Sequence, residues 1–195
     1  MLKEKLKDYT IILASGSPRR HQFFKEMELD FEVRLKSVEE IYPPELKAAE
    51  ISDYLAKLKA EVFKNELVEN DILITSDTVV WYKNESLAKA ADNLEAESML
   101  KKLSNDWHQV ITSVCFTTSE RQIILNSITE VKFKNLSHEE IQYYIENFKP
   151  YDKAGAYGIQ EWIGLIGIEE IKGSYTNVVG LPTQLVYETL SNMAK

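Results

Sequence analysis

The chain has 195 residues, 44% of them hydrophobic and 10% aromatic, and carries a formal net charge of −8. That is enough apolar material for a buried core, and the overall negative field excludes a duplex nucleic-acid binder or a protein of anionic membrane surfaces, so a polyanionic ligand has to meet a local basic patch. A single cysteine, Cys115, excludes an internal disulfide, and between Val114 and Phe116 it reads as a small core residue rather than a nucleophile.

The start MLKEKLKDY is charged and has no apolar signal region, and no later stretch approaches the ~18 apolar residues of a membrane span. A cytoplasmic location is expected. Thr10 to Ala14 reads as a strand, and Ser15-Gly16-Ser17-Pro18 as a turn into a helix from Arg19 to Glu28, with Ser17 as its cap. A short strand follows near Phe31 to Leu35. The longest helical pattern runs from about Pro44 to Val68, with Ile51, Leu55, Leu58 and Val62 spaced three or four apart. Asp71 to Thr75 reads as a buried strand ending at Ser76-Asp77-Thr78, after which Val79 to Tyr82 and Glu85 to Leu87 flank a Lys83-Asn84 turn.

Asp92 is the expected N-cap of a helix through Leu103. Trp107 to Thr117 and Gln122 to Lys134 read as two long strands meeting at Ser119-Glu120-Arg121. Ser137 and Glu140 form a capping box that opens a helix to about Phe148. The loop Pro150 to Gln160, strands around Ile163 to Ile171 and Ser174 to Val179, and a last helix launched by Gly180-Leu181-Pro182 complete the chain. The alternation of strands and helices predicts an α/β fold with a mixed sheet. No repeat or linker-like tract interrupts it, so residues 1–195 are expected to form one domain of two lobes.

Three stretches could carry chemistry. In Ser15-Gly16-Ser17-Pro18-Arg19-Arg20, free backbone N–H groups and the positive end of a helix dipole favour an anion. Arg19 and Arg20 in the first turn oppose that dipole, which asks for a negative ligand or for acidic neighbours such as Glu39 or Glu40. Both readings stand on the residues alone. Asp77, at the end of an apolar strand, could ligate a cation or take a proton from water, or could simply cap a turn. Asp152-Lys153-Ala154-Gly155-Ala156-Tyr157-Gly158-Ile159-Gln160 combines small residues, a cation and an amide, suited to a phosphate and to the O4 and N3 edge of uracil or thymine, or to a tight structural loop. Lys59 and Lys89 are further candidates for phosphate contacts. His21, His108 and His138 share no metal-ligand spacing, and no hydrolase triad is legible.

Four segments together resemble the Maf family of nucleotide pyrophosphatases: Leu13 to Arg20, Ser76-Asp77-Thr78, Asp152 to Gln160, and Gly173-Ser174-Tyr175 through Val178-Val179-Gly180-Leu181-Pro182. Leu100 to Ser104 followed by His108 to Thr112 also looks like the family's middle helix and strand. The resemblance implies a Maf/ITPase-like fold, with a strongly twisted mixed sheet, flanking helices and two lobes around a central cleft. It implies cleavage of nucleoside triphosphates to monophosphate and pyrophosphate, with a divalent cation, Mg²⁺ or Mn²⁺, and commonly a homodimer. Asp77 then takes the position of the proton acceptor. Arg19, Thr78 and Gln160 fall where the branch acting on dTTP and UTP sets base choice. Ser15, Arg20, Lys59, Lys89 and Lys153 fall at phosphate-binding positions, and Glu39 or Glu40, with Asp77, near the metal. Two positions depart from the family pattern, Ala90 after Lys89 and Glu161-Trp162-Ile163 after Gln160. A rival reading is a nucleotide-sensing regulator of septum formation in which hydrolysis is incidental.

Overall fold

The structure, a computed structural model, describes residues 1–194. A short helix α1 (Leu2–Lys5) precedes β1 (Thr10–Leu13), α2 (Pro18–Glu26) and a two-residue strand β2 (Glu32–Val33). Helix α3 (Ala49–Glu61) leads to the long strand β3 (Asp71–Tyr82), which turns back into β4 (Glu85–Leu87). Then come α4 (Asn93–Leu103), the paired strands β5 (Trp107–Thr117) and β6 (Gln122–Phe133), and α5 (His138–Phe148). The chain closes with α6 (Trp162–Gly167), β7 (Ile168–Lys172), α7 (Tyr175–Val179) and α8 (Thr183–Met193).

All strands belong to one mixed sheet in the order β2-β1-β3-β5-β6-β7, with β4 on the free side of β3. β1 lies parallel to both β2 and β3, and the remaining pairs are antiparallel. The expected α/β fold with a mixed sheet and flanking helices is therefore present. Its two lobes follow from how β3 and β5 are shared. The first half of β3, through Ile72 and Ile74, packs with Leu13, Phe24, Phe116 and α8. Its second half, through Val80 and Tyr82, packs with α4, α5 and the 156–159 loop. The polar residues Ser76-Asp77-Thr78 lie at the junction of the two cores.

A gap in the sheet edge places the site. β1 pairs with β3 only as far as Leu13↔Ile74, and β4 begins its pairing at Val80↔Leu87. Between them the edge of β3 has no neighbouring strand, so residues 75–79 are reachable from that side and, because strand side chains alternate, from both faces of the sheet.

Several local expectations change. Ser76-Asp77-Thr78 does not end its strand, because β5 pairs continuously past it (Asp77↔Ser113, Thr78↔Thr112), while Asp77 and Thr78 bond to Lys59 and Arg20 from the neighbouring helices. The long helix is confined to Ala49–Glu61: Ala48 at φ +48° sets its start, and a separate 3₁₀ turn at Lys64–Glu66 follows its end. Of the strand expected around Ile163 to Ile171, only Ile168–Lys172 forms; Trp162–Gly167 is a helix, a short apolar run being ambiguous by periodicity alone. Tyr175–Val179 is also helical, capped by Ser174 at one end and stopped by Gly180 at φ +126° at the other. Ser17 occupies the N-cap position of α2 but makes no side-chain cap. The Asp92 cap and the Ser137–Glu140 capping box form as expected.

Candidate active site

A cleft of about 650 Å³ opens at the gap in the sheet. Its walls carry Ser15, Arg19 and Arg20 from the β1–α2 turn, Glu40 from the loop before α3, and Lys59 from α3. Asp77 and Thr78 contribute from β3, Lys89 from the loop after β4, and Lys153 and Gln160 from the 152–160 loop. Every candidate site residue except Glu39 is thus on one cleft. Of the two acidic candidates, Glu40 lines the wall, while Glu39 is exposed outside it.

The centre of the cleft is a carboxylate–ammonium–carboxylate arrangement. Lys59 Nζ donates to Asp77 Oδ1 at 2.6 Å and lies 2.8 Å from Glu40 Oε1. Helix α3 makes this possible: Ala56 and Ala60 pack against the sheet at zero exposure, bringing the backbone close enough for Lys59 to reach the open edge. Thr75, two residues before Asp77, donates to the Ala56 carbonyl at 2.7 Å and fixes helix and strand in register. Burial works to raise the Glu40 carboxyl, but the hydrogen bond and charge of Lys59, with Lys89 and Arg20 behind it, hold it below the usual carboxylate range. With Oδ1 of Asp77 taken by Lys59, Oδ2 is the oxygen available to water.

The two arginines of α2 separate in role. Arg20 is drawn into the protein, where Nε donates to Gly180 O at 2.8 Å and Nη1 to Ser76 O at 2.9 Å and Ser15 Oγ at 3.3 Å. Nη2 donates to Thr78 Oγ1 at 3.1 Å. Ser76 presents its carbonyl at the open edge, and Arg20 supplies the donor that a neighbouring strand would have supplied. Burial pulls this guanidinium below its ordinary pKa, with Asp77 opposing and Arg19 adding to the fall. Arg19 faces the cleft mouth, 3.5 Å from Asp152 Oδ2 on the opposite loop. Ser15 Oγ also accepts from Ser17 N–H at 3.3 Å, so it shapes the turn at the start of α2.

The 152–160 loop is built by its own packing. Gly155 has φ +68°, and a Cβ there would press on Val80 at 3.0 Å. A Cβ on Gly158 would meet Glu161, Gln160 and Lys153 within about 3 Å, at 2.9, 3.0 and 3.1 Å. Gly155 accordingly lets the loop pack against β3, and Gly158 lets it close on itself, rather than approach a ligand. Lys153 is buried, 2.7 Å from Asp152 Oδ1 and 3.0 Å from Glu161 Oε1. Tyr144 donates to the other oxygen of Glu161 and accepts from Gly158 N–H at 3.0 Å. Glu161 therefore holds Lys153 together with Asp152. Lys89 is exposed, and its backbone pairs with Ala154, while Gly155 N–H donates to Leu87 O at 2.9 Å. That stitching presents Lys89 beside Lys153 although Ala90 follows it.

Six basic side chains and three acidic ones line the cleft, a local excess of three positive charges in a chain of net −8. Fold and site together define an α/β protein whose small-molecule cleft suits a phosphate-bearing ligand. Residues 10–193 match the family described as Maf-like protein, and the chain belongs to the Maf family. It is 62% identical over 193 residues to the dTTP/UTP pyrophosphatase of Flavobacterium johnsoniae, covering 99% of this chain and 100% of that protein. The dTTP/UTP pyrophosphatase of Christiangramia forsetii is 55% identical, with 99% and 98% covered. A solved structure of a HAM1 protein from Coxiella burnetii, 12% identical, superposes over 95% of this chain and 98% of that one with a TM-score of 0.51, which bears on the fold alone. No helix among the described residues is long and apolar enough to cross a membrane.

Proposed function

We propose that this protein hydrolyses pyrimidine nucleoside triphosphates, dTTP and UTP, at the α–β phosphoanhydride, releasing nucleoside monophosphate and pyrophosphate. The observation that carries the reading is the Glu40–Lys59–Asp77 centre facing a cation-rich wall in one cleft. Supporting it are relatives at 62% and 55% identity that bear the name dTTP/UTP pyrophosphatase.

In this reading Asp77 Oδ2 accepts a proton from a water molecule that attacks the α-phosphorus in line. The new P–O bond forms as the bond to the β-phosphate oxygen breaks, and the electron pair leaves with pyrophosphate. Lys59, fixed to Asp77 Oδ1, keeps the carboxylate oriented. Lys89 and Lys153, on the paired loops, take the β- and γ-phosphates. Arg19, Thr78 and Gln160 contact the base, the Gln160 amide being able to answer both O4 and N3–H.

A triphosphate brings about four negative charges at neutral pH, which exceeds the local positive surplus, and several of the cleft cations already pair with carboxylates. Glu40 and Asp77 each place one oxygen on the Lys59 ammonium, at 2.8 and 2.6 Å, so a divalent cation of the Mg²⁺ or Mn²⁺ kind would draw on their remaining oxygens. Such a site suits an ion that shares its ligands with phosphate oxygens and water, and that ion would neutralise charge on the phosphates as the leaving group departs. The full chain acts as one catalytic unit, and the family resemblance favours a homodimer. Chromatographic separation of monophosphate and pyrophosphate from a panel of nucleoside triphosphates tests the reading. Products other than these two from dTTP or UTP would sink it.

A further inference from the structure

Thr78 and Thr112 are directly opposed across β3 and β5. Their hydroxyls are 3.0 Å apart, Arg20 Nη2 donates to Thr78 Oγ1 at 3.1 Å, and Thr112 Oγ1 donates to the Asn177 carbonyl at 3.1 Å. The two ends of this chain have fixed polarity, since a guanidinium can only donate and a carbonyl can only accept. A hydroxyl has one proton and two acceptor positions. With the Thr112 proton committed to Asn177, Thr112 accepts from Thr78, and the Thr78 proton is committed in turn. The opposite orientation would give up the bond to Asn177 and leave the Thr78 proton without a protein partner, so the observed direction makes one more hydrogen bond, and chained bonds reinforce one another.

The consequence falls on the ligand. Thr78 is half-buried on the cleft wall, while Thr112 is completely buried behind it and Asn177 is completely buried as well. Asn177 is anchored by its own amide, which donates to Val110 O at 3.0 Å and Thr129 Oγ1 at 2.9 Å. Thr78 has one acceptor position left and no proton to offer. We infer that Arg20, Thr112 and Asn177 act as positioning residues that order the protons of this chain and make Thr78 an acceptor toward the base, selecting the N3–H edge of uracil or thymine against the bare N3 of cytosine. This rests on the reading that places the base against Thr78. It also gives Arg20, and the 174–180 segment that supplies the Asn177 and Gly180 carbonyls, a role in base choice without contact to phosphate.

The test compares kcat/KM for UTP and CTP in the unmodified protein, Thr112→Val and Thr112→Ser, with folding checked by circular dichroism. Valine keeps the shape and removes the acceptor, freeing the Thr78 proton to turn toward the cleft, whereas serine keeps the hydroxyl. The UTP/CTP ratio is expected to fall by about tenfold or more in Thr112→Val, because a misoriented polar group in a binding site is what separates such analogues. Thr112→Ser should restore it. A merely structural role would lower both substrates together. An unchanged ratio in folded Thr112→Val, or no UTP preference in the unmodified protein, overturns the relay while leaving pyrimidine triphosphate hydrolysis standing. Absence of any UTP or dTTP cleavage by the unmodified protein overturns the function and the relay with it. Should Thr112→Val not fold, Thr112→Ala removes the same hydroxyl and is read by the same ratio.

Discussion

Lys59 bridges Asp77 and Glu40, with its ammonium 2.6 Å from one carboxylate and 2.8 Å from the other. The side chains of Asp77 and Lys59 are 10% and 19% exposed, so this bond lies in a partly desolvated setting where removing one member leaves the other unpaired. Replacing Lys59 with Met should therefore both disorder the Asp77 carboxylate and destabilise the fold, by about 1–3 kcal/mol for the group left without a partner. Urea unfolding measures the second effect and steady-state turnover the first. A variant as stable and as active as the parent would show that Lys59 has neither role.

Removing divalent cations should stop turnover without softening the fold. The two carboxylates that would hold the ion are already balanced by Lys59, so folding does not depend on it. Thermal unfolding with and without a chelator is expected to give the same midpoint, while activity is lost and returns on adding Mg²⁺ or Mn²⁺. A large fall in the midpoint on chelation would indicate a structural metal instead.

His108 gives the protein an acid limit. Its ring is 3% exposed, packed against Phe133 and hydrogen-bonded to the Tyr157 hydroxyl at 2.7 Å, and burial pulls its pKa down to about 3 from an ordinary 6.5. Between those values the unfolded chain binds a proton that the folded chain does not. The stability from keeping this ring neutral is present above about pH 6.5 and is lost as pH falls toward 3, with a slope approaching 1.4 kcal/mol per pH unit for one site. Unfolding free energies of the parent and of His108→Gln across this range should diverge, the variant showing the shallower dependence. Parallel curves would contradict the assignment.

Gly155 should tolerate no side chain. Its φ of +68° penalises any L-residue, and a Cβ would sit 3.0 Å from Val80. Gly155→Ala is expected to cost about 2–4 kcal/mol from the left-handed backbone and the crowding of Val80 together. Because the same loop carries Lys153 and braces Lys89, turnover should fall in parallel. A thermal melt and a single-substrate assay suffice to check both.

Much of this site was legible in the sequence because its residues sit in short, chemically unusual runs. Two arginines in the first turn of α2 break a local rule, whereas Asp77 and the 152–160 loop keep a plain structural reading until the family resemblance joins them; all reach the cleft. What the sequence hid was the pairing. Nothing in a helix pattern says that Lys59 will face Asp77, or that Arg20 will turn inward to the Ser76 carbonyl, because those contacts depend on where β1 stops and leaves the sheet edge open. Thr112 stands out only as the last residue of a family-like strand, with no sign of its contact to Thr78, since a threonine in a strand is ordinary. Helices Trp162–Gly167 and Tyr175–Val179 read as strands because five or six residues rich in aromatic and β-branched side chains fit either period, and the deciding stop at Gly180 lies beyond the second of them.

The central claim is that Asp77 accepts the proton in pyrimidine triphosphate hydrolysis, and Asp77→Asn tests it most directly. Turnover of UTP and dTTP to monophosphate and pyrophosphate should drop by about 10²–10⁴-fold, the usual contribution of a positioned base. Nucleotide affinity, measured by calorimetry on the same preparations, should stay within a few-fold. Near-parental turnover in the variant would remove Asp77 from the chemistry. A parent that binds UTP tightly and cleaves none would contradict the enzymatic account and favour a nucleotide-sensing role.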